Sequence, residues 1–105
     1  MSEPVTIVNN LLDNAPVQAD KLGHHTVLKS DDARVIVLAF PAGHVMKDHA
    51  APKTLLMQAL DGELRITTEG ETHTLRPGTI IRFDKGVRHE VEAVTDARLM
   101  LTLIS

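Results

Sequence analysis

Four glycines at an interval of eight residues constrain the fold of this chain more than any other feature of its sequence. They stand at positions 62, 70, 78 and 86, between short apolar runs. Turn residues at such even spacing are typical of antiparallel strands of similar length. The sequence therefore predicts an all-β sandwich or barrel.

Three apolar runs are predicted to be strands of this fold. Residues 34–40 are apolar on both faces, which is typical of a buried strand, and residues 54–60 form a second run. Asp61-Gly62 closes the second run and is a strong hairpin signal. Residues 98–104 also present two apolar faces, so we expect one face on the barrel interior and the other on a second sheet or subunit.

The size of the chain predicts one domain with a small core. It has 105 residues, 43% of them hydrophobic and 24% charged, which is ordinary for a globular protein. We expect residues 1–105 to form a single domain, with an N-terminal arm at 1–23 and the β-barrel at 25–104. Chains of this size often gain buried area by dimerising, so a homodimer is predicted as well.

Composition argues against several classes of function. The chain has no Cys, which excludes disulfides, Zn-thiolate sites, iron–sulfur clusters and cysteine nucleophiles. It has no Trp or Tyr, two Phe and a net charge of −3, so it lacks the basic footprint and stacking rings of a nucleic-acid-binding protein. No apolar run reaches ~18 residues, and the N-terminus has no signal-peptide pattern. We expect a cytoplasmic protein without nucleic-acid or membrane partners.

His89 is the histidine whose position points most clearly to a site. Positions 89, 91 and 93 are His, Val and Ala, whereas positions 88, 90 and 92 are charged. The two-residue period of a strand turns His89 inward with Val91. A buried imidazole needs a hydrogen-bond partner or a metal, so His89 is either a satisfied core residue or a ligand.

His49 is the second candidate, because it falls near a predicted strand end, where site residues are often carried. It lies 40 residues before His89, so the two form no local metal motif. Only the fold can bring them together, and the alternative for His49 is a surface histidine.

The spacing around these two histidines resembles the motifs of the cupin superfamily. Gly43 is followed by five residues and His49, and the framework glycine of the first motif is Gly62. In the second motif Gly78 is followed by five residues, then by Asp84-Lys-Gly86, two residues and His89. The resemblance to short single-domain cupins implies a small jelly-roll β-barrel, which commonly dimerises.

The resemblance also implies a ligand set, which this chain keeps only in part. Metal-bearing cupins use two His and a Glu of the first motif and the His of the second. Here His49 and His89 remain, but Ala51 and Leu55 occupy the other two positions and cannot ligate. The expected centre is a degenerate two-His site for a divalent ion (Zn, Ni or Fe). Water, a substrate carboxylate or a further side chain would complete its shell, and the candidate side chains are His44, Asp48 and Gln58.

The barrel interior is predicted to be a mostly apolar pocket, which is usual for a small-molecule site. Its expected lining is Leu55, Met57, Gln58, Val91 and Met100. Strand parity turns Gln58 away from Leu55 unless a bulge intervenes, and either face of the last strand could point inward. The alternative is plain core packing around a collapsed interior.

These features support three functions. The leading hypothesis is a small-molecule-binding barrel with a degenerate metal site, acting as a sensor or accessory domain. The alternative is a metal-dependent enzyme of dioxygenase or isomerase type that uses His49 and His89. A purely structural or partner-binding dimer is the third. The chain has no Gly-x-Ser-x-Gly elbow and no Gly-rich phosphate loop, and its catalytic residues, if any, stay unassigned.

Overall fold

A computed structural model describes residues 4–105 and confirms the predicted all-β fold. Nine strands account for its regular structure: β1 (Gly23–Lys29), β2 (Ala33–Phe40), β3 (Val45–His49), β4 (Thr54–Asp61), β5 (Leu64–Thr68), β6 (Glu71–Leu75), β7 (Ile80–Phe83), β8 (His89–Ala93) and β9 (Ala97–Ile104). Across the described residues there is no helix with the length and apolar character needed to cross a membrane.

The strands form two antiparallel sheets that pack as a jelly-roll sandwich. The five-stranded sheet has the order β1-β2-β9-β4-β7, and the four-stranded sheet has the order β3-β8-β5-β6. Strands that follow one another in the chain mostly lie in different sheets, so the chain crosses the sandwich repeatedly. β3 and β8, which carry the two candidate histidines, are neighbours at one edge.

Period-two alternation places one apolar face of each sheet in a common core. In β4 the buried residues are Leu55, Met57 and Ala59, and the residues between them are half-buried. β5 contributes Leu64 and Ile66, both fully buried. Burying a large aliphatic side chain stabilises the fold by ~1.5–3 kcal/mol, so this shared face supplies most of the driving force.

The last strand corrects one prediction. β9 lies between β2 and β4, and Leu99 and Leu101 face the core. Met100 instead lies on the outer face, in a second cluster built on Ala15, where Val17 of the N-terminal arm also packs. On this outer face Met100 packs with the chain's own arm, whereas Ile104 at the end of the strand is 39% exposed. The homodimer stays a prediction.

The predicted hairpin at Asp61-Gly62 is wrong, because β4 and β5 belong to different sheets. Gly62 has φ +75°, and a Cβ there would overlap the carbonyl oxygen of Asp96 and lie 2.7 Å from Cα of Ala97. The glycine serves a sharp crossing between sheets at a close backbone approach. A turn signal in the sequence marks such a bend but does not say whether the flanking strands pair.

Arg98 fastens the arm to the sandwich. Its Nε donates to the carbonyl oxygen of Ala15 at 2.7 Å, and its Nη1 donates to Asp61 Oδ2 at 2.6 Å. The backbone N–H of Arg98 donates to the other carboxylate oxygen of Asp61 at 2.8 Å. The side chains of Arg98 and Asp61 are 21% and 36% exposed, so they form a half-buried ion pair. Through Arg98 this ion pair is joined to the arm.

Candidate functional site

β8 points His89 into the sandwich, as the sequence parity predicts. The residue is 1% exposed, and it shares its face with Val91 and Ala93, which are equally buried. Among the described residues His89 is the one buried residue with a polar side chain. An imidazole in such surroundings needs a specific role, since burying a polar group without partners is unfavourable.

β3 brings His49 to the same place by means of a β-bulge. Met46 lies opposite Val91, and His49 lies opposite His89. Met46 and His49 are an odd number of residues apart, so a regular strand would turn their side chains to opposite faces. The irregularity between Met46 and His49 restores the inward direction of His49. The His49 and His89 ring centroids are 4.6 Å apart, with 59° between the ring planes.

Backbone carbonyls fix the tautomer of both rings. Nδ1 of His49 lies 3.0 Å from the carbonyl oxygen of Lys47, and Nδ1 of His89 lies 3.3 Å from that of Val87. A carbonyl oxygen only accepts, so each contact is a hydrogen bond when Nδ1 carries the proton. In the neutral rings both Nε2 atoms then keep their lone pairs, which is the arrangement found in metal-ligating histidines.

The Nε2 atom of His89 is buried and has no hydrogen-bond partner. Burial lowers the pKa of His89 below its usual 6.5, and the neighbouring His49 lowers it further. The Val87 carbonyl and the Asp48 carboxylate act in the opposite direction but do not prevail. The ring is therefore held neutral, with an unshared lone pair beside a second imidazole. This chemistry fits a divalent transition metal.

Phe83 forms the wall behind His89. The two rings stack with centroids 4.8 Å apart and 29° between their planes, and Phe83 is almost fully buried. Phe83 lies opposite Leu55 in the pairing of β7 with β4. The sequence left open which face of β7 points inward, so this contact was not predicted. The available signal was the alternation of apolar Ile81 and Phe83 with the charged Arg82 between them.

The structure places three of the five predicted pocket residues inside and two outside. Leu55, Met57 and Val91 are buried in the same core cluster. Gln58 and Met100 lie opposite each other on the outer face of the five-stranded sheet, so neither lines the interior. The reason is parity: β4 is regular between Leu55 and Gln58, with no bulge to turn Gln58 inward.

The other proposed ligands are engaged elsewhere. His44 packs edge-on against Phe40, with ring centroids 5.9 Å apart. The carboxylate of Asp48 accepts a hydrogen bond from Nε of Arg88 at 2.7 Å on the surface. Within residues 4–105, no group of three or more His, Asp or Glu side chains is arranged to hold a metal. Of the candidate ligands, only His49 and His89 therefore lie side by side.

A cleft of about 800 Å³ opens between β6 and β7, the edge strands on the far side of the sandwich. Its lining includes Phe83 and Val87, together with His73 and several threonines. Phe83 thus separates this cleft from His89. The cleft and the histidine pair are neighbouring features rather than one cavity.

The two-sheet jelly roll with an inward histidine on β8 defines the class of small β-barrel proteins to which the chain belongs. The family model for the Cupin domain matches residues 36–105, which include most of β2 and all later strands. The chain is therefore a member of the cupin family, and the resemblance seen in its two motifs is confirmed. No curated protein sequence matches this chain.

Solved structures similar to this chain include a cupin, a protein of unknown function and KdgF. An RmlC-like cupin from Desulfovibrio desulfuricans is 21% identical, with a TM-score of 0.85 over 95% of this chain and 97% of that one. A conserved protein of unknown function from Streptococcus pyogenes is 20% identical, with a TM-score of 0.80 over 98% and 97%. KdgF from Halomonas sp. is 18% identical, with a TM-score of 0.80 over 94% of each chain. These likenesses show the fold.

Proposed function

We propose that this cupin barrel binds a small molecule at a divalent-metal centre held by His49 and His89. The observation that carries the proposal is the buried Nε2 of His89, which has no partner and belongs to a ring beside that of His49. An unsatisfied buried polar atom costs ~1–3 kcal/mol of stability, and a bound cation would remove that cost. Zn²⁺, Ni²⁺ and Fe²⁺ all accept neutral imidazole, so the residue types fit such an ion.

The composition of the site favours ligand binding over efficient catalysis. Catalytic metal sites usually have three protein ligands, and this site has two because Ala51 and Leu55 cannot ligate. A shell of two imidazoles leaves its other positions to water and to a ligand oxygen. A small carboxylate-bearing molecule is the class that would complete it, and a sensor or accessory role follows from binding without turnover.

Each neighbouring residue has a definite part in this proposal. The bound ion would supply a positive centre that attracts an anionic oxygen. The carbonyl oxygens of Lys47 and Val87 hold the two Nδ1 protons, so both Nε2 lone pairs are available without rearrangement. Phe83 covers one face of His89 and excludes water from that side. The site is therefore organised before any ligand arrives.

The metal part is tested by calorimetric titration of Ni²⁺ or Zn²⁺ into protein purified without a His tag. His49→Ala and His89→Ala should each weaken binding by at least about tenfold, since each removes half of the protein ligands. His44→Ala is the matched control, because it removes a histidine just before the same strand and should leave the binding constant unchanged. Equal affinity in the His89→Ala variant would contradict the proposal.

The ligand part is tested with Co²⁺ as a spectroscopic substitute and acetate as the carboxylate. Acetate should change the visible absorption of the Co²⁺-loaded wild-type protein, because it replaces water in the coordination shell. An unchanged spectrum at saturating acetate would refute the carboxylate class. Elemental analysis separates binding from the alternative of a metal-dependent dioxygenase or isomerase: we expect a sub-stoichiometric ion after purification, whereas a tightly held stoichiometric ion would favour the enzyme.

A further inference from the structure

The cleft between β6 and β7 exists because the sandwich stays open along this side. His73 lies opposite Ile66 in the pairing of β6 with β5, and Ile66 is fully buried, so both side chains belong to the inner face of their sheet. The His73 side chain is nevertheless 47% exposed. Each sheet ends here with an edge strand, and the space between the two edges is the cleft of about 800 Å³. Pockets for small molecules commonly have this size.

The two walls of the cleft differ in chemistry. On one side Ile81 and Phe83, inner-face residues of β7, form an apolar wall, which Val87 extends. On the other side Thr68 and His73 present a hydroxyl group and an imidazole. A molecule that fills this space has to be apolar where it meets β7 and has to carry polar groups where it meets β6.

The charges around the cleft favour a cation. The guanidinium of Arg82, which lines the cleft, is neutralised by Asp84 at 2.6 Å. Glu69 also lines the cleft, and Oε2 of Glu71 lies 3.8 Å from Nε2 of His73. That distance is too long for a hydrogen bond, so the Glu71 carboxylate and the His73 ring do not satisfy each other. An ammonium group is attracted to these carboxylates, whereas an anionic ligand is repelled.

The backbone at Glu69 is strained. Glu69 and Gly70 form the two-residue turn between β5 and β6, with φ values of +52° and +76°. Asn, Asp or Gly usually occupies the first position of such a turn, because a longer side chain is disfavoured at positive φ. Strain of this kind is often found at functional sites. Here the turn places the carboxylate-bearing residue at the cleft.

We propose that this cleft binds an aromatic amine, with the ring against Ile81, Phe83 and Val87 and the ammonium group beside Glu69 and Glu71. Burial of the ring supplies most of the affinity, and the two carboxylates select the charge. The site is separate from the proposed metal centre, whose expected ligand carries the opposite charge.

The proposal is tested with tryptamine as the probe and the metal-free full chain, by fluorescence anisotropy. The chain has no Trp and no Tyr, so the emission of the indole ring comes from the ligand alone. Tryptamine should bind saturably. Indole lacks the ammonium group and indole-3-acetate carries a carboxylate instead, so each should bind at least about tenfold more weakly. No saturable binding of tryptamine, or equal affinity for the three probes, would overturn the proposal.

Two double variants test the role of the carboxylates. Glu69→Gln with Glu71→Gln should weaken tryptamine binding by about tenfold or more and leave indole binding unchanged, and both positions are exposed, so the fold should persist. Glu90→Gln with Glu92→Gln is the matched control, because it removes two carboxylates from the outer face of the same sheet. An unchanged affinity in the first variant, or an equal loss in the control, would contradict the proposal.

Two further variants locate the bound amine. Ile81→Ala should weaken the binding of both tryptamine and indole, because it removes part of the apolar wall, and circular dichroism checks that this variant is folded. His49→Ala should bind tryptamine as the wild type does. A loss of tryptamine binding in His49→Ala would place the amine at the histidine pair and would refute a separate site. Metal binding at that pair is measured independently, so either proposal can fail without the other.

Discussion

The polar contact between Arg98 and the N-terminal arm allows a direct measurement of what burial adds to an ion pair. Arg98→Met keeps the apolar stem of the side chain but removes the donors to Asp61 and to the Ala15 carbonyl. Arg88 provides a matched comparison, because it also contacts one carboxylate and one carbonyl oxygen, both of Asp48. The Arg88 and Asp48 side chains are 66% and 55% exposed, against 21% and 36% for Arg98 and Asp61.

The expected magnitudes differ because of this exposure. A hydrogen bond to a charged group contributes ~1.5–3 kcal/mol when water is excluded, whereas an exposed ion pair contributes ~0.2–1 kcal/mol. Arg98 and Asp61 are only half-buried, so we take ~2 kcal/mol for Arg98→Met and ~0.5 kcal/mol for Arg88→Met. In a domain of this size ~1 kcal/mol shifts the Tm by about 4–8 °C. The expected losses are therefore about 8–16 °C and about 2–4 °C.

Thermal unfolding followed by circular dichroism measures both losses under the same conditions. Limited proteolysis should also cut the arm of Arg98→Met faster than that of the wild type, since the Ala15 contact is lost. Equal Tm losses in the two variants would refute the reasoning, because they would show that burial does not set the strength of this pair.

Three further outcomes are expected. In metal-free protein, the free energy of unfolding should fall as the pH drops below 6.5. The unfolded chain then takes up a proton at His89, whereas the lowered pKa of this residue keeps the folded chain unprotonated there. Urea titrations should show that the stability of His89→Gln depends less steeply on pH than that of the wild type. Gly62→Ala should lower the free energy of unfolding by ~2–4 kcal/mol, because the new Cβ would overlap the backbone and the positive φ would be strained. Gly70→Ala should lower it by only ~1–2 kcal/mol in the same denaturation assay, because Gly70 has φ +76° but open space around it. Ala51→His combined with Leu55→Glu should raise Zn²⁺ affinity by at least about tenfold in calorimetry, and no gain would mean that these positions do not face the ion.

The sequence predicted those parts of the fold that depend on local pattern. The inward direction of His89 followed from an unbroken alternation in β8, and the spacing of both motifs indicated the family. The β9 strand could not be oriented in the same way, because residues 98–104 are apolar on both faces. Only the long-range packing of Ala15 and Val17 shows that Met100 lies outside and Leu99 inside.

The site depended on two features that a linear pattern does not reveal. The bulge before His49 changes the parity of β3, and nothing in residues 45–49 announces it. The stacking of Phe83 on His89 joins strands of different sheets, so it needs the assembled sandwich. The prediction that the two histidines lie close together rested on the motif resemblance. The resemblance implied a fold that brings them together, whereas their separation of 40 residues alone does not.

The position of β9 between β2 and β4 has a consequence for how the molecule is made. Those two strands meet only through β9, which follows every other strand in the chain. During synthesis the five-stranded sheet cannot close until this segment has left the ribosome, and such distant pairings form slowly. The nascent chain must therefore keep its growing apolar faces from aggregating until β9 has emerged and completes the sheet.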